Sequence, residues 1–246
     1  MASDRRHHFR GDEFAGTRVR ALCAGDRRAG RPVVVFVPAL GVTEDLVNLA
    51  SECGTWTRSV LLDVLGSVGR VDLPAFATAV AQWLEVAVDA PVVLAGHSTG
   101  AQVALRAAVQ VPAAVRVLVL MSPTFPPRLR RVPALVRANF RNAAHEPLDV
   151  WRAVLPGCAR VGAVTLCRLL RSAQHDRPEE IVTDVRCPVL VVRGEHDAFC
   201  PEPWASRLGA AARRGRCVNV LGAHGFPHQY DKNTSALIAD FAGRSG

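Results

Sequence analysis

The sequence predicts an α/β fold: a mostly parallel central sheet with helices on both faces and a helical insertion in the second half of the chain. Three observations predict it. Short β-branched runs alternate with helical patterns along most of the chain, as strand–helix–strand crossovers require. Runs such as "VVVFV" and "VLVVR" are apolar at every position, which suits strands covered on both faces. Between Met121 and Pro188, about sixty residues rich in Arg, Pro and helical patterns contain no convincing strand, a length that reads as an insertion over the strand ends.

Taken in order, "TRVRAL" and "PVVVFVPA" read as strands, and "RSVLLDV" as another that ends in the bend "LGSVGR". "LPAFATAVAQWLEVAVDA" is an amphipathic helix: Phe76, Val80, Leu84 and Val88 recur every fourth position, and Pro74 suits a first turn. "PVVLAG" is a strand and "TGAQVALRAAVQ" a helix; "VRVLVLMS", "CPVLVVRGE" and "RCVNVLG" are the later strands. "NTSALIADFAG" closes the chain as a helix with Asn233 as its expected N-cap. In the insertion, "VPALVRANFRNAAH", "VWRAVLPG" and "AVTLCRLLRSAQ" carry helical spacing.

A chain of 246 residues with 49% hydrophobic content can build one large α/β core without disulfide staples. Its seven cysteines are scattered, with no C-x-x-C pair, which reads as reduced thiols in a cytoplasmic protein. Apolar runs fall well short of the roughly 20 residues that span a bilayer, and the opening "MASDRRHHFRGDEFAG" has no apolar signal core. The formal charge of +8 comes almost wholly from arginine, Lys232 being the single lysine. These arginines rarely interleave with aromatics, and no helix-turn-helix, zinc-finger or base-stacking signature accompanies them. The charge therefore reads as a solubility device, with no nucleic-acid or membrane partner expected.

One stretch carries chemistry. In "VVLAGHSTGAQVAL", Gly96-His97-Ser98-Thr99-Gly100 matches G-x-S-x-G with a strand before and a helix after. Such a turn lifts one hydroxyl clear of the sheet, and the helix start offers unpaired N–H groups to negative charge. Small residues at Gly100, Ala101 and Ala104 let that helix approach the sheet. Partners follow in the order acid, then histidine: Asp197 just past the strand "PVLVVRGE", and His224 in the glycine-flanked loop "LGAHGFPHQYD".

With these motifs the chain resembles the α/β-hydrolase fold superfamily over nearly its whole length. "FVPALG" resembles the loop after the family's third strand, "LLDVLGSVGR" the next strand and its bend, and "GHSTG" the nucleophile elbow. "RGEHDAFCP" resembles the acid loop, and "GAHGFPHQYDKNTSALIADF" the histidine loop and final helix. The resemblance implies a discontinuous core of residues 1–123 and 185–246, with residues 124–184 as a helical lid inserted after the sixth strand. It also implies Ser98 as nucleophile, His224 as general base, Asp197 as the acid that orients it, and the N–H groups of Leu40 and Thr99 as oxyanion donors. Pro38-Ala39 stand where His-Gly is usual, so a sharp bend is expected at Ala39.

Competing readings stay open at this stage. His228 lies four residues after His224 and competes for the role of base, with His224 preferred for its spacing from Phe241. Glu195 competes with Asp197 but sits closer to the strand end. His97 and His196 read as structural neighbours of the chemistry. The His224/His228 pair suggests no metal, because Gly225 and Pro227 oppose a shared helix face and no third ligand is evident. Phe125, Phe140, Trp151, Leu155 and Phe199 are the expected substrate-pocket residues, with Leu129, Leu135 and Leu169 further candidates from the insertion.

The function expected from all this is hydrolysis of an ester, thioester or lactone of a small, largely apolar substrate through an acyl-enzyme, a carboxylic ester hydrolase without cofactor or metal. A non-catalytic binder on the same scaffold, a carbon–carbon hydrolase, an acyltransferase and a cofactor-free haloperoxidase are the alternatives. An apolar lid surface could also support a homodimer.

Overall fold

Residues that alternate along each strand divide between two faces of one sheet. In the computed structural model, which describes residues 9–14, 17–66 and 68–244, eight strands form the sheet. They are β1 (Phe9–Phe14), β2 (Thr17–Ala24), β3 (Val34–Val37), β4 (Ser59–Asp63), β5 (Val92–His97), β6 (Val115–Met121), β7 (Val189–Gly194) and β8 (Gly215–Val220). Their spatial order is β1-β2-β4-β3-β5-β6-β7-β8; the first two run antiparallel to their neighbours, and β3 through β8 are parallel. Of the charged opening stretch, residues 1–8, 15 and 16 lie outside the described residues. Its middle forms β1, an edge strand that the sequence reading did not anticipate.

The helices are α1 (Val47–Cys53), α2 (Leu73–Ala87), α3 (Thr99–Gln110), α4 (Val132–Ala143), α5 (Leu148–Val161), α6 (Ala163–His175), α7 (Pro178–Ile181), α8 (Glu202–Ala211), α9 (Phe226–Gln229) and α10 (Asp231–Arg244). Val35, Val37, Leu94, Leu118, Leu120 and Val191 pack on one face with α2, α3 and α8, through Val80, Leu84, Leu105 and Leu208. Val34, Phe36, Val93, Val119 and Val192 pack on the other with Leu49 of α1 and Ile238 of α10. The period-2 alternation therefore buries both faces, as the continuously apolar runs require. Asp72 caps α2, its carboxylate accepting from the Ala75 amide at 2.9 Å, with Pro74 in the first turn. Helix α10 starts at Asp231, two residues before the expected cap, so Asn233 lies inside its first turn.

No strand occurs among the described residues between β6 and β7; helices α4 to α7 fill that stretch. Among the described residues no single helix is long and apolar enough to cross a membrane. The parallel strands all point their C-terminal ends to one edge, where open α/β sheets gather their ligands. Ala39–Leu40 follow β3, Ser98 follows β5, Phe125 follows β6, Asp197 follows β7 and His224 follows β8.

Candidate active site

The elbow after β5 is held by two close approaches. A side chain at Gly96 would put its Cβ 2.3 Å from the Gly100 carbonyl oxygen, and one at Gly100 would put it 2.3 Å from that of Val37. Only glycine lets α3 start this close to β5 and to the loop after β3. Between them Ser98 takes φ 56° and ψ −120°, a left-handed conformation costly for any residue with a Cβ, with its amide tied to the Met121 carbonyl at 2.9 Å. Ser98 is 7% exposed, and its hydroxyl sits at the N-terminus of α3.

His224 meets that hydroxyl: Nε2 lies 2.9 Å from Ser98 Oγ. On its other side Nδ1 lies 3.2 and 3.1 Å from the two Asp197 oxygens. Because a carboxylate only accepts, Nδ1 carries the proton and Nε2 is free to accept from Ser98. Asp197 is buried and its Oδ1 also accepts the Phe199 and Cys200 amides, at 2.9 and 3.0 Å. Burial alone would raise the Asp197 carboxyl, but the His224 charge and hydrogen bonds hold it below the ordinary carboxylate range. Burial pulls the His224 imidazole down; the Asp197 charge and hydrogen bond, with smaller contributions from Glu146 and Asp45, outweigh it and raise the imidazole.

A second imidazole–carboxylate pair lies beside the first. His97 Nδ1 is 2.7 Å from Asp45 Oδ2, His97 Nε2 is 3.0 Å from the His224 carbonyl oxygen, and the two histidine rings are 5.0 Å apart. Helix α4 and the loop after it also hold the histidine loop. The His224 amide donates to Asn142 Oδ1 at 3.3 Å, the Gly225 amide donates to Glu146 Oε1 at 2.6 Å, and Asn142 Nδ2 donates to the same oxygen at 3.0 Å. None of Asp45, Asn142 and Glu146 stands out in the sequence; the i, i+4 spacing of Asn142 and Glu146 at the end of a helical pattern is the one signal that could have marked them.

The loop after β3 bends at Leu40, with φ 49° and ψ 22°, rather than at Ala39. Its amide does not point freely into the site: it donates to Thr99 Oγ1 at 2.8 Å. Thr99 opens α3, so its own amide has no partner within the helix.

Ser98, His224 and Leu40 line a cavity of about 570 Å³, inside the range of roughly 300–1,000 Å³ usual for small-molecule sites. Its walls are mainly apolar: Phe125, Leu135, Val136, Phe140, Val150, Trp151, Val154, Leu170 and Phe199. Of the residues expected at a substrate pocket, Phe125, Phe140, Trp151 and Phe199 line this cavity and Leu155 does not. It is 58% exposed and absent from the lining. On α5 the cavity takes Val150, Trp151, Val154 and Cys158, and Leu155 falls about 100° further round than Val154. Leu129 and Leu169 are buried in the core instead, while Leu135 lines the cavity as expected. His228 also lines it, but Ser98 and Asp197 bond His224. Glu195 faces His196 near the surface, 3.5 Å away.

A family model described as the alpha/beta hydrolase family matches residues 34–237. Among solved structures, the chain is similar to a hydrolase from Pseudomonas aeruginosa, with 16% identity, a TM-score of 0.75 and coverage of 99% of this chain and 100% of that one. A thermophilic esterase from Thermogutta terrifontis matches at 15% identity and TM-score 0.74, over 97% of this chain and 99% of that one. A thioesterase domain from the curacin biosynthetic pathway matches at 16% identity and TM-score 0.69, over 94% and 98%. At these identities the likeness is one of fold. No curated protein matches the chain by sequence.

Proposed function

Because this chain belongs to the alpha/beta hydrolase family, we propose that it is a serine hydrolase that cleaves the ester, thioester or lactone bond of a small, largely apolar substrate. One observation carries the reading: a strained serine whose hydroxyl lies 2.9 Å from an imidazole backed by a buried carboxylate, with serine and imidazole opening on one apolar cavity. The strain held at Ser98 costs stability, which favours a serine kept for its chemistry over one that only lines a binding cavity.

In this reading Ser98 Oγ attacks the carbonyl carbon while His224 Nε2 takes the hydroxyl proton. The carbonyl π pair moves onto oxygen, and the resulting imidazolium is stabilised by Asp197. As the intermediate collapses, His224 returns the proton to the leaving alcohol or thiol and the acyl group stays on Ser98. Water then repeats the sequence: it gives a proton to His224 and attacks the acyl carbon, and on collapse the bond to Ser98 Oγ breaks, His224 returns the proton to that oxygen and the acid leaves. Phe125, Trp151 and Phe199 supply apolar surface for the acyl portion.

The test is a fluorophosphonate probe together with p-nitrophenyl esters of graded acyl length and a matched thioester. The probe is expected on Ser98, and turnover is expected to disappear in Ser98→Ala. Turnover that survives that substitution, or a native protein that neither takes the probe nor hydrolyses any ester, would overturn the proposal.

A further inference from the structure

We propose that the side-chain hydroxyl of Thr99 is an oxyanion donor, relaying to the developing negative charge the hydrogen bond that the Leu40 amide gives. The inference rests on the serine hydrolase reading and adds a catalytic residue to it.

The geometry of the loop after β3 leads there. An amide of this loop serves an oxyanion directly only if it is free to point into the cavity. Here Leu40 turns left-handed, and its N–H is engaged by Thr99 Oγ1 at 2.8 Å. Pro38, two residues earlier, has no N–H to offer in its place. The loop cannot draw back from the elbow without opening the contact of Gly100 with the carbonyls of Val37 and Pro38, where a Cβ would come within 2.3 and 2.5 Å. The Leu40–Thr99 bond is therefore built into the junction of β3 and α3.

A hydroxyl has one proton to give and two lone pairs to receive with. Thr99 Oγ1 spends a lone pair on Leu40, and among the described residues no group accepts its proton. Thr99 is 4% exposed, and it lines the cavity beside Ser98 and His224. A buried hydroxyl that has received a hydrogen bond is a stronger donor, because each bond in a chain polarises the next. When Ser98 attacks, the carbonyl oxygen gains charge next to the α3 N-terminus, where the Thr99 amide is unpaired. The Thr99 amide and hydroxyl then converge on that oxygen from one residue, with Leu40 behind the hydroxyl. No covalent bond is made to Thr99, and its proton stays on Oγ1 throughout.

The test compares Thr99→Val, Thr99→Ala and Thr99→Ser by kcat and KM on a p-nitrophenyl ester, and by the Ki of a trifluoromethyl ketone, which Ser98 converts to a charged hemiketal. Loss of the hydroxyl is expected to lower kcat on the order of 10²-fold, as for other oxyanion donors, with KM little changed. The Ki is expected to rise in parallel, a change that a purely structural role for Thr99 would not produce. Thr99→Ser is expected to keep most of the activity, and native circular dichroism for each variant separates loss of the donor from loss of the fold. A Thr99→Val enzyme with wild-type kcat and Ki overturns the inference alone. A Thr99→Ala enzyme faster than wild type overturns it too, since the hydroxyl would then merely obstruct the Leu40 amide. Absence of Ser98-dependent turnover in the native protein overturns the hydrolase reading and this inference together.

Discussion

Two imidazole–carboxylate pairs sit with their rings 5.0 Å apart, and the same chemistry is arranged for opposite ends. In the Asp197–His224 pair the second ring nitrogen faces a hydroxyl, which can either give or receive a proton. In the Asp45–His97 pair the second nitrogen faces the His224 carbonyl, which only receives. The far nitrogen of the first pair faces the nucleophile's hydroxyl and that of the second a main-chain carbonyl; the group facing it decides which pair is a base and which a strut. His97 and Asp45 are both buried, and they bind the very residue that does the chemistry by its main chain.

The largest effects should separate the pairs by kind. Ser98→Ala is expected to lower kcat on the order of 10⁶-fold and Asp197→Asn about 10⁴-fold, the scale of such substitutions in serine hydrolases. Ser98→Ala should leave chemical denaturation nearly unchanged, while Asp197→Asn also loses the stability that its charge pair with His224 supplies. Ester hydrolysis and urea unfolding measured on the same preparations check this. An Asp197→Asn enzyme with wild-type kcat would erase the distinction between the pairs.

The Asp45–His97 pair should respond in stability first. His97→Leu leaves the Asp45 carboxylate buried without its partner, which is expected to cost about 3–5 kcal/mol. The double variant Asp45→Leu/His97→Leu removes the charge along with the ring and should recover much of that loss. In both, kcat should fall far less than in Asp197→Asn, through a loosened His224 main chain. If His97→Leu unfolds at the wild-type urea midpoint, the strut role is wrong.

What the sequence could announce and what it could not divides along the same line. The Ser98 elbow was legible because its chemistry is local: strand, glycine, nucleophile, glycine and helix follow one another in the chain. Asp197 and His224 were legible through chain order, each just past an apolar run. Asp45 was not, because its contact with His97 spans 52 residues and "VTED" reads as an ordinary charged loop. Neither was the Leu40–Thr99 bond, which spans 59 residues and depends on a left-handed turn at a leucine. Strand β1 was hidden because "FRGDEF" has no apolar alternation; pairing with β2 makes it a strand. Leu155 shows the converse error, a residue of the right type whose side of the helix only packing decides.

The subtlest contrast is in pH dependence. His224 must be neutral at Nε2 to accept the Ser98 proton, and its environment raises it above the 6.5 of a free histidine. The acidic limb of kcat/KM should therefore fall above that value. The stability this pair supplies has the matching signs. The raised imidazole contributes fully below its unfolded value and is lost as pH climbs through the folded one. The depressed Asp197 carboxyl contributes above the unfolded 3.8 and is lost as pH drops through its lower folded value. Glu146 is one of the charges that raise His224, and one oxygen of its carboxylate accepts both the Gly225 amide and Asn142. In Glu146→Gln the amide oxygen can keep those two bonds while the charge goes. The acidic limb should then move to lower pH, by less than in Asp197→Asn, with the plateau kcat nearly unaltered. A limb that stays fixed, or shifts upward, would show that the Glu146 charge does not raise His224 and that Glu146 is only a tether for the histidine loop.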